Sequence, residues 1–262
     1  MRLIDLTRLL DPADLEKLPE WARPGVNLVP QIHYQHPSGE GAEVMCAIFG
    51  CKREDLPAGE GWGDERLTIT SHLGTHVDAP LHYGSMCEGK PSRTISDIDL
   101  SELFCDGFVL DLRGLCTPGE SITVDALKQA VDALSAEITP GCALLLRTGQ
   151  EEYGIGDLEL FNYPGMRRDG TLYLANLGAK VLGTDALGWD RPFLAMRRAF
   201  KATGDAAVIW DGHFAGREKE VFIVQQLYNL GALPPKGFQV GFFPLRLARC
   251  SASPARVVAF LE

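Results

Sequence analysis

The chain has 262 residues, of which 45% are hydrophobic and 23% charged, and its formal net charge is −10 at pH 7. These values are typical of a globular protein with a buried core, and they exclude a disordered or fibrous chain. An acidic surface repels phosphate backbones and anionic lipids, so we expect neither a nucleic-acid partner nor a membrane partner.

The predicted elements alternate between strands and helices after an irregular beginning. Residues 1–65 hold one short strand, at 3–6, and otherwise turn-rich sequence, which we expect to shape a pocket. Beyond them, the pattern predicts strands at 67–70, 108–112, 142–147, 180–182, 206–210, 221–227, 238–242 and 256–261, and helices at 124–137, 171–177 and 191–202. Thr123 is the expected N-cap of the first helix. This alternation predicts one α/β domain over residues 1–262, with a mixed sheet.

The cysteines and the N-terminal sequence bear on location. Seven cysteines are scattered along the chain without a C-x-x-C pair, which is typical of free thiols in a reducing compartment. An aspartate at position 5 interrupts the apolar stretch that a signal peptide needs. We therefore expect a cytoplasmic protein.

One segment concentrates the side chains that bind metals. Three of the six histidines lie in the sequence S-H-L-G-T-H-V-D-A-P-L-H at residues 71–82. In an extended conformation His76, Asp78 and His82 share one face, and His72 can join them through an extended run or a tight turn. Two imidazoles and a carboxylate suit Zn²⁺ or Mn²⁺ and leave positions for water and substrate. A merely polar turn is the alternative interpretation.

The segment from His72 to His82 resembles the H-x-G-T-H-x-D-x-P-x-H signature of the cyclase superfamily, which includes kynurenine formamidases, isatin hydrolases and trans-dienelactone hydrolases. The similarity extends to I-D-L-T at 4–7, L-G-T-D at 182–185, F-P-L-R at 243–246 and S-P-A-R at 253–256. The resemblance implies a swivelling β/β/α-type domain with a mixed, partly barrel-like sheet flanked by helices. It also implies a homodimer or higher homo-oligomer.

The resemblance further implies roles for the motif residues. His72, His76 and Asp78 match the ligands of the family's first metal, and His82 matches its acid/base histidine. A bound metal lowers the pKa of its water from 15.7 towards about 7 and polarises a carbonyl. An imidazole can take a proton from that water and give it to the leaving atom.

A second metal site is incomplete in this sequence. In kynurenine formamidases the second metal is bound by a later histidine and by a glutamate twelve residues after it, and His213 and Gln225 have this spacing here. The amide oxygen of Gln225 can still coordinate, but it carries no charge to offset the repulsion between two dications. We therefore predict one tightly held divalent ion, with a second weak or absent, and His213 as a proton relay or a supporting residue.

These residues predict a metal-dependent hydrolase that opens a small cyclic or aryl amide, lactam, ester or lactone. Two alternatives stay open. The same metal and His82 could enolise a carbonyl in a polyketide-type cyclase or dehydratase, which incorporation of labelled water would distinguish. The lost carboxylate at Gln225 suggests a non-catalytic module that binds a metal or ligand, but the intact His82 argues against it, because a binding module needs no proton carrier.

Three residues are candidates for contacting a small-molecule substrate. Trp21 and Trp62 lie in turn-rich segments, where an aromatic side chain can line a pocket for a flat substrate. Arg147 ends a predicted buried strand and could clamp a carboxylate, with an internal salt bridge as the alternative. No G-x-S-x-G and no nucleotide-binding glycine motif occurs, so neither a serine hydrolase nor a nucleotide-binding protein is indicated.

Overall fold

The computed structural model describes residues 1–23 and 28–262 and contains both strands and helices. The strands are β1 (Arg2–Asp5), β2 (Gln31–Gln35), β3 (Asp64–Thr68), β4 (His76–Asp78), β5 (Met86–Cys87), β6 (Lys90–Pro91), β7 (Phe104–Asp111), β8 (Ala143–Arg147), β9 (Val181–Thr184), β10 (Phe222–Gln225), β11 (Phe238–Pro244) and β12 (Ala252–Leu261). The helices are α1 (Asp14–Lys17), α2 (Glu40–Phe49), α3 (Val124–Ala133), α4 (Arg168–Asn176), α5 (Phe193–Thr203) and α6 (Asp211–Phe214).

The main sheet closes into a barrel. Its strands pair in the order β1-β12-β11-β7-β8-β9-β10-β4, and β4 pairs again with the start of β12. The ring therefore runs from β12 through β11, β7, β8, β9, β10 and β4, and β1 is added beside β12. The strands from β7 to β10 are parallel neighbours, whereas the other pairs are antiparallel. The predicted α/β domain with a mixed, partly barrel-like sheet is confirmed.

The core lies on both faces of the barrel strands. In β8, Ala143 and Leu145 belong to the cluster that fills the barrel, whereas Leu144 and Leu146 belong to the cluster under α3 and α4. All four side chains are fully buried. A parallel strand that is covered on both faces has a continuous apolar run instead of an alternating one, and the sequence of β8 reflects this.

The three predicted helices correspond to α3, α4 and α5, whereas α1, α2 and α6 were not predicted. The Thr123 hydroxyl accepts a hydrogen bond from the Ala126 N–H at 3.1 Å, which confirms the predicted cap. Helix α3 ends at Ala133 instead of 137, and Ser135 just beyond it has a left-handed φ of +45°. Within residues 1–23 and 28–262, no helix has the length and apolarity that crossing a membrane requires.

The predicted strand at 206–210 is wrong. Residues Ala206–Val208 form an exposed 3-10 turn, and the Asp205 side chain caps it by accepting from the Ala207 N–H at 2.9 Å. Strands β9 and β10 pair directly with each other, so the sheet has no place for this apolar run. His213 consequently lies on α6 and not at the end of a strand.

The prediction that residues 1–65 hold only one short strand is also wrong. Strands β2 and β3 form an antiparallel hairpin, and α2 lies between them in the chain; we call residues 31–68 the arm. Strand β3 starts three residues before the predicted 67–70 and is exposed along its length. A Cβ on Gly41 would lie 2.0 Å from the Trp62 carbonyl oxygen, so α2 approaches the backbone of a distant residue. Side-chain periodicity carries no signal for such a contact.

Candidate active site

The motif segment folds as a turn, a short strand and a 3-10 turn. Gly74 turns the chain with a φ of +59°, and a Cβ there would lie 2.5 Å from the Leu10 side chain. Strand β4 then places His76 and Asp78 two residues apart, on one side of the strand. It is held between β10 and β12. Because both neighbours pair with β4, the positions of these two side chains are determined by the barrel.

Four histidines converge on the carboxylate of Asp78, which is fully buried. On the Oδ1 side, His72 Nδ1 lies at 2.9 Å and His76 Nε2 at 3.5 Å. On the Oδ2 side, His213 Nε2 lies at 3.5 Å. Donor atoms of His72, Asp78 and His82 all lie within 4.8 Å of one another. The fold therefore brings together the predicted ligands, the predicted acid/base histidine and the later histidine.

The orientation of His76 is determined by its backbone. Its Nδ1 lies 2.7 Å from the Gly74 carbonyl oxygen, to which it must donate a proton. Its Nε2 then carries the lone pair, and this atom lies 3.5 Å from Asp78 Oδ1 and 3.3 Å from the Gln225 amide nitrogen. A ligand histidine whose second nitrogen donates to a carbonyl is the usual arrangement at protein metal sites. Burial also lowers the pKa of His76, which favours the neutral form of its ring.

The electrostatics of the cluster favour a carboxylate among imidazoles. Burial by itself would raise the pKa of Asp78, but His76, His82 and the hydrogen bonds from neighbouring rings hold it well below its usual range. Burial lowers the pKa of His82 to about 4 against the opposing pull of Asp78. His82 is therefore neutral at pH 7 in the metal-free protein and can accept a proton.

His213 is tied to a second buried carboxylate that the sequence analysis did not single out. Its Nδ1 contacts Asp190 Oδ2, and the N–H groups of Gly212 and His213 donate to the same carboxylate at 2.7 and 3.1 Å. Burial opposes protonation, but Asp190 and Asp78 raise the pKa of His213 to about 9. The metal-free ring is thus a cation that donates towards Asp78.

Gln225 presents its nitrogen, and not its oxygen, to the cluster. Its Oε1 accepts from the Trp189 N–H at 3.0 Å, and its Nε2 donates to Asp78 Oδ2 at 2.7 Å. Turning the amide over would place its N–H group against the Trp189 N–H. Since an amide N–H has no lone pair for a cation, this orientation does not favour Gln225 as a ligand, and that role stays a prediction.

Two further residues of the site carry no sequence signal that we recognised. The Trp210 ring stacks on His213 with centroids 4.5 Å apart and meets His82 edge-on at 4.9 Å. Its φ of +54° is rare for a bulky residue. The buried Tyr83 hydroxyl donates to the Asp78 carbonyl at 3.1 Å and accepts from the Ile223 N–H at 3.0 Å. These contacts connect the site to β10.

The three predicted substrate residues make other contacts. Trp21 is 58% exposed and packs edge-on against Phe161, and Trp62 on the arm is 40% exposed. The Arg147 guanidinium donates to the buried Glu151 carboxylate at 2.5 Å, which is the internal salt bridge considered as the alternative. Their contact with a substrate stays a prediction.

The donor set fits a divalent metal ion. The carboxylate of Asp78 is fully buried. Two imidazoles face its Oδ1 atom: that of His72, at 2.9 Å, and that of His76, whose tautomer is determined by the Gly74 carbonyl. Nitrogen and carboxylate donors suit Zn²⁺ and Mn²⁺. Buried charges of this kind are paired or coordinate metals.

Comparison with protein families identifies the chain as a member of the cyclase family. The family model, described as "Putative cyclase", matches residues 4–191. This match confirms the resemblance inferred from the motif.

Three relatives illustrate the family. The chain is 26% identical over 194 residues to a kynurenine formamidase of Delftia acidovorans, an alignment that covers 73% of this chain and 77% of that protein. It is 26% identical over 212 residues to an isatin hydrolase of Roseibium aggregatum, covering 74% and 73%. The structure of isatin hydrolase A from Ralstonia solanacearum superposes with a TM-score of 0.75 at 22% identity, over 100% of this chain and 92% of that chain. The names of the two curated relatives confirm the expected class, a hydrolase, and the superposition shows the shared fold.

Proposed function

We propose that this protein is a metal-dependent hydrolase that opens a small cyclic or aryl amide, lactam or lactone. His72, His76 and Asp78 hold one divalent ion, Zn²⁺ or Mn²⁺, and His82 carries the proton. The observation that carries the proposal is the fully buried Asp78 carboxylate with imidazole nitrogens at 2.9 and 3.5 Å from its Oδ1. A homo-oligomeric assembly and a cytoplasmic location belong to the same proposal, on the resemblance and the sequence alone.

The two oxygens of Asp78 have different surroundings, and this difference supports a single metal. Oδ1 faces His72 and His76, whereas Oδ2 receives the Gln225 amide at 2.7 Å and faces the His213 ring at 3.5 Å. Donors on the Oδ2 side hold the carboxylate in place and repel a second cation. The Oδ1 side faces the two imidazoles that are the predicted metal ligands.

The residues around the ion divide the work of hydrolysis. A divalent ion there supplies a Lewis acid that acidifies water and polarises a carbonyl. His82 is half-buried and neutral, so it can accept the proton of the attacking water and deliver it to the leaving nitrogen or oxygen. His213, paired with Asp190, orients Asp78 from the far side.

The aromatic wall favours a flat substrate. The Trp210 ring stacks on His213 and meets His82 edge-on. It therefore offers a planar substrate an aromatic surface beside His82, the proposed proton carrier. The names of the relatives, a formamidase and an isatin hydrolase, support an amide or lactam bond. Trp21, Trp62 and Arg147 remain candidates for contacting the substrate.

The test combines metal content with turnover. Dialysed protein is analysed for metal and assayed with N-formylkynurenine, isatin and a dienelactone. We expect one equivalent of metal and hydrolysis of one of these substrates. His82→Ala should keep the metal and lose at least about a hundredfold in turnover, whereas His76→Ala should lose both. His36→Ala, which removes an exposed histidine on the arm, is the control.

Three outcomes contradict the proposal in different ways. Two equivalents of metal that survive dialysis would refute the single-metal site but not the proposed hydrolase activity. Turnover without oxygen from labelled water would indicate a cyclase or dehydratase. Neither metal nor turnover would indicate a binding module.

A further inference from the structure

The end of α2 brings two cysteine side chains together on the arm (residues 31–68). The chain leaves the helix through Gly50 in a left-handed conformation, with φ +61°. The Cys51 N–H then donates to the Cys46 carbonyl at 3.1 Å. This six-to-one bond is the mark of a Schellman motif, in which the side chains of the first and sixth residues meet. The Cys51 thiol lies close enough to that of Cys46 to contribute to a raised pKa of Cys46.

This pair differs from the other five cysteines. Cys46 and Cys51 are both partly exposed, whereas Cys87 and Cys142 are buried. Cys105, Cys116 and Cys250 are also partly exposed, but Cys105 and Cys250 pack against the barrel core, and the Cys116 thiol donates to the Leu112 carbonyl. Proximity to a second thiol and partial exposure therefore coincide at the end of α2.

The local geometry allows the two sulfurs to be bridged with little movement. Disulfide formation requires Cβ atoms that face each other at short range, and the Schellman turn directs the side chains of Cys46 and Cys51 towards each other. A Cβ on Gly50 would touch nothing within 4 Å, so the turn has room to adjust. Burial and the adjacent Cys51 thiol raise the pKa of Cys46. A thiol with a raised pKa is a poor leaving group, which slows reduction of the bridge.

We propose that Cys46 and Cys51 form a vicinal dithiol that small disulfides oxidise reversibly to an intrachain disulfide. One cysteine thiolate attacks the small disulfide and releases one small thiol. The other cysteine then attacks the mixed disulfide and releases the second small thiol. The two cysteines lose two electrons and two protons, and the small disulfide gains them. In a reducing compartment the dithiol is the resting form. The site is independent of the metal centre.

Two probes test the dithiol in the full-length protein. With oxidised glutathione, we expect the intact mass to fall by two hydrogens, peptide mapping to pair Cys46 with Cys51, and dithiothreitol to reverse the change. Phenylarsine oxide, a trivalent arsenical that bridges two thiols with release of water, should bind with one tight equivalent. Removing either thiol should weaken that binding about a hundredfold or more, because the second bond is intramolecular.

The variants separate the pair from the other cysteines. Cys46→Ser and Cys51→Ser should each abolish the bridge and keep a glutathione adduct on the remaining cysteine. Cys116→Ser is the matched control, since a hydroxyl can replace the Cys116 thiol that donates to the Leu112 carbonyl, and it should leave both readouts unchanged. The proposal is overturned if the wild-type protein accumulates glutathione adducts without losing two hydrogens, if mapping pairs other cysteines, or if tight arsenical binding survives Cys46→Ser.

Discussion

Removing the Tyr83 hydroxyl should loosen the wall that carries the candidate metal ligands. In Tyr83→Phe the buried Ile223 N–H loses its acceptor, and the Asp78 carbonyl loses a donor. A buried polar group left without a partner costs roughly 1–3 kcal/mol, and each lost hydrogen bond about 1 kcal/mol. We expect a loss of about 3 kcal/mol in the free energy of unfolding. With an unfolding entropy of about 2.1 cal/mol/K per residue, this lowers Tm by about 5 °C.

The same change should weaken metal binding, because Tyr83 holds the backbone of Asp78. Groups that support a ligand without touching the metal contribute roughly tenfold or more to its affinity. Urea unfolding of metal-free protein measures the first effect, and metal titration measures the second. Tyr173→Phe, which alters a partly exposed tyrosine on α4, should change neither. A Tyr83→Phe protein within about 0.5 kcal/mol of the wild type, with unchanged metal affinity, would refute this reasoning.

Three smaller perturbations follow from the fold. Thr123→Ala removes the cap of α3 and should cost about 1 kcal/mol in urea unfolding, whereas Thr123→Ser should cost little. Gly41→Ala pushes a Cβ to 2.0 Å from the Trp62 carbonyl, so limited proteolysis should cut the arm faster, while Gly39→Ala, with 3.8 Å to its nearest contact, should resemble the wild type. Hydrogen bonds from Arg93 lower the pKa of Glu102, and Arg93 with Lys180 outweighs the effect of burial to lower that of Glu220. Their stabilisation is present above the carboxyl pKa of the unfolded chain and is lost as pH falls through the lower folded values. In Arg93→Met we expect the free energy of unfolding to depend less steeply on pH in the acid range. An unchanged pH dependence would contradict this prediction.

Local signals in the sequence predicted several strands and helices of the fold and the segment at the centre of the candidate site. The continuous apolar run of β8 indicates a strand buried on both faces, and Thr123 before an amphipathic run indicates a helix start. The segment from His72 to His82 indicates its local conformation. Gly74 allows the left-handed turn, and the even spacing of His76 and Asp78 places them on one side of a strand. These features depend on residues that are close together in the chain, so they can be recognised in a single sequence.

The other half of the site was decided by tertiary structure alone. Strand β10 brings Gln225 opposite His76 across 149 positions of sequence, and only the Trp189 N–H determines which end of that amide faces Asp78. Asp190 and Trp210 contact His213 on a short helix, which follows the 3-10 turn where the apolar pattern predicted a strand. Residue periodicity reports which side chains are buried, but not which distant backbone lies against them. For that reason the sequence alone indicated the candidate metal ligands, whereas the residues that contact them became apparent only in the closed barrel.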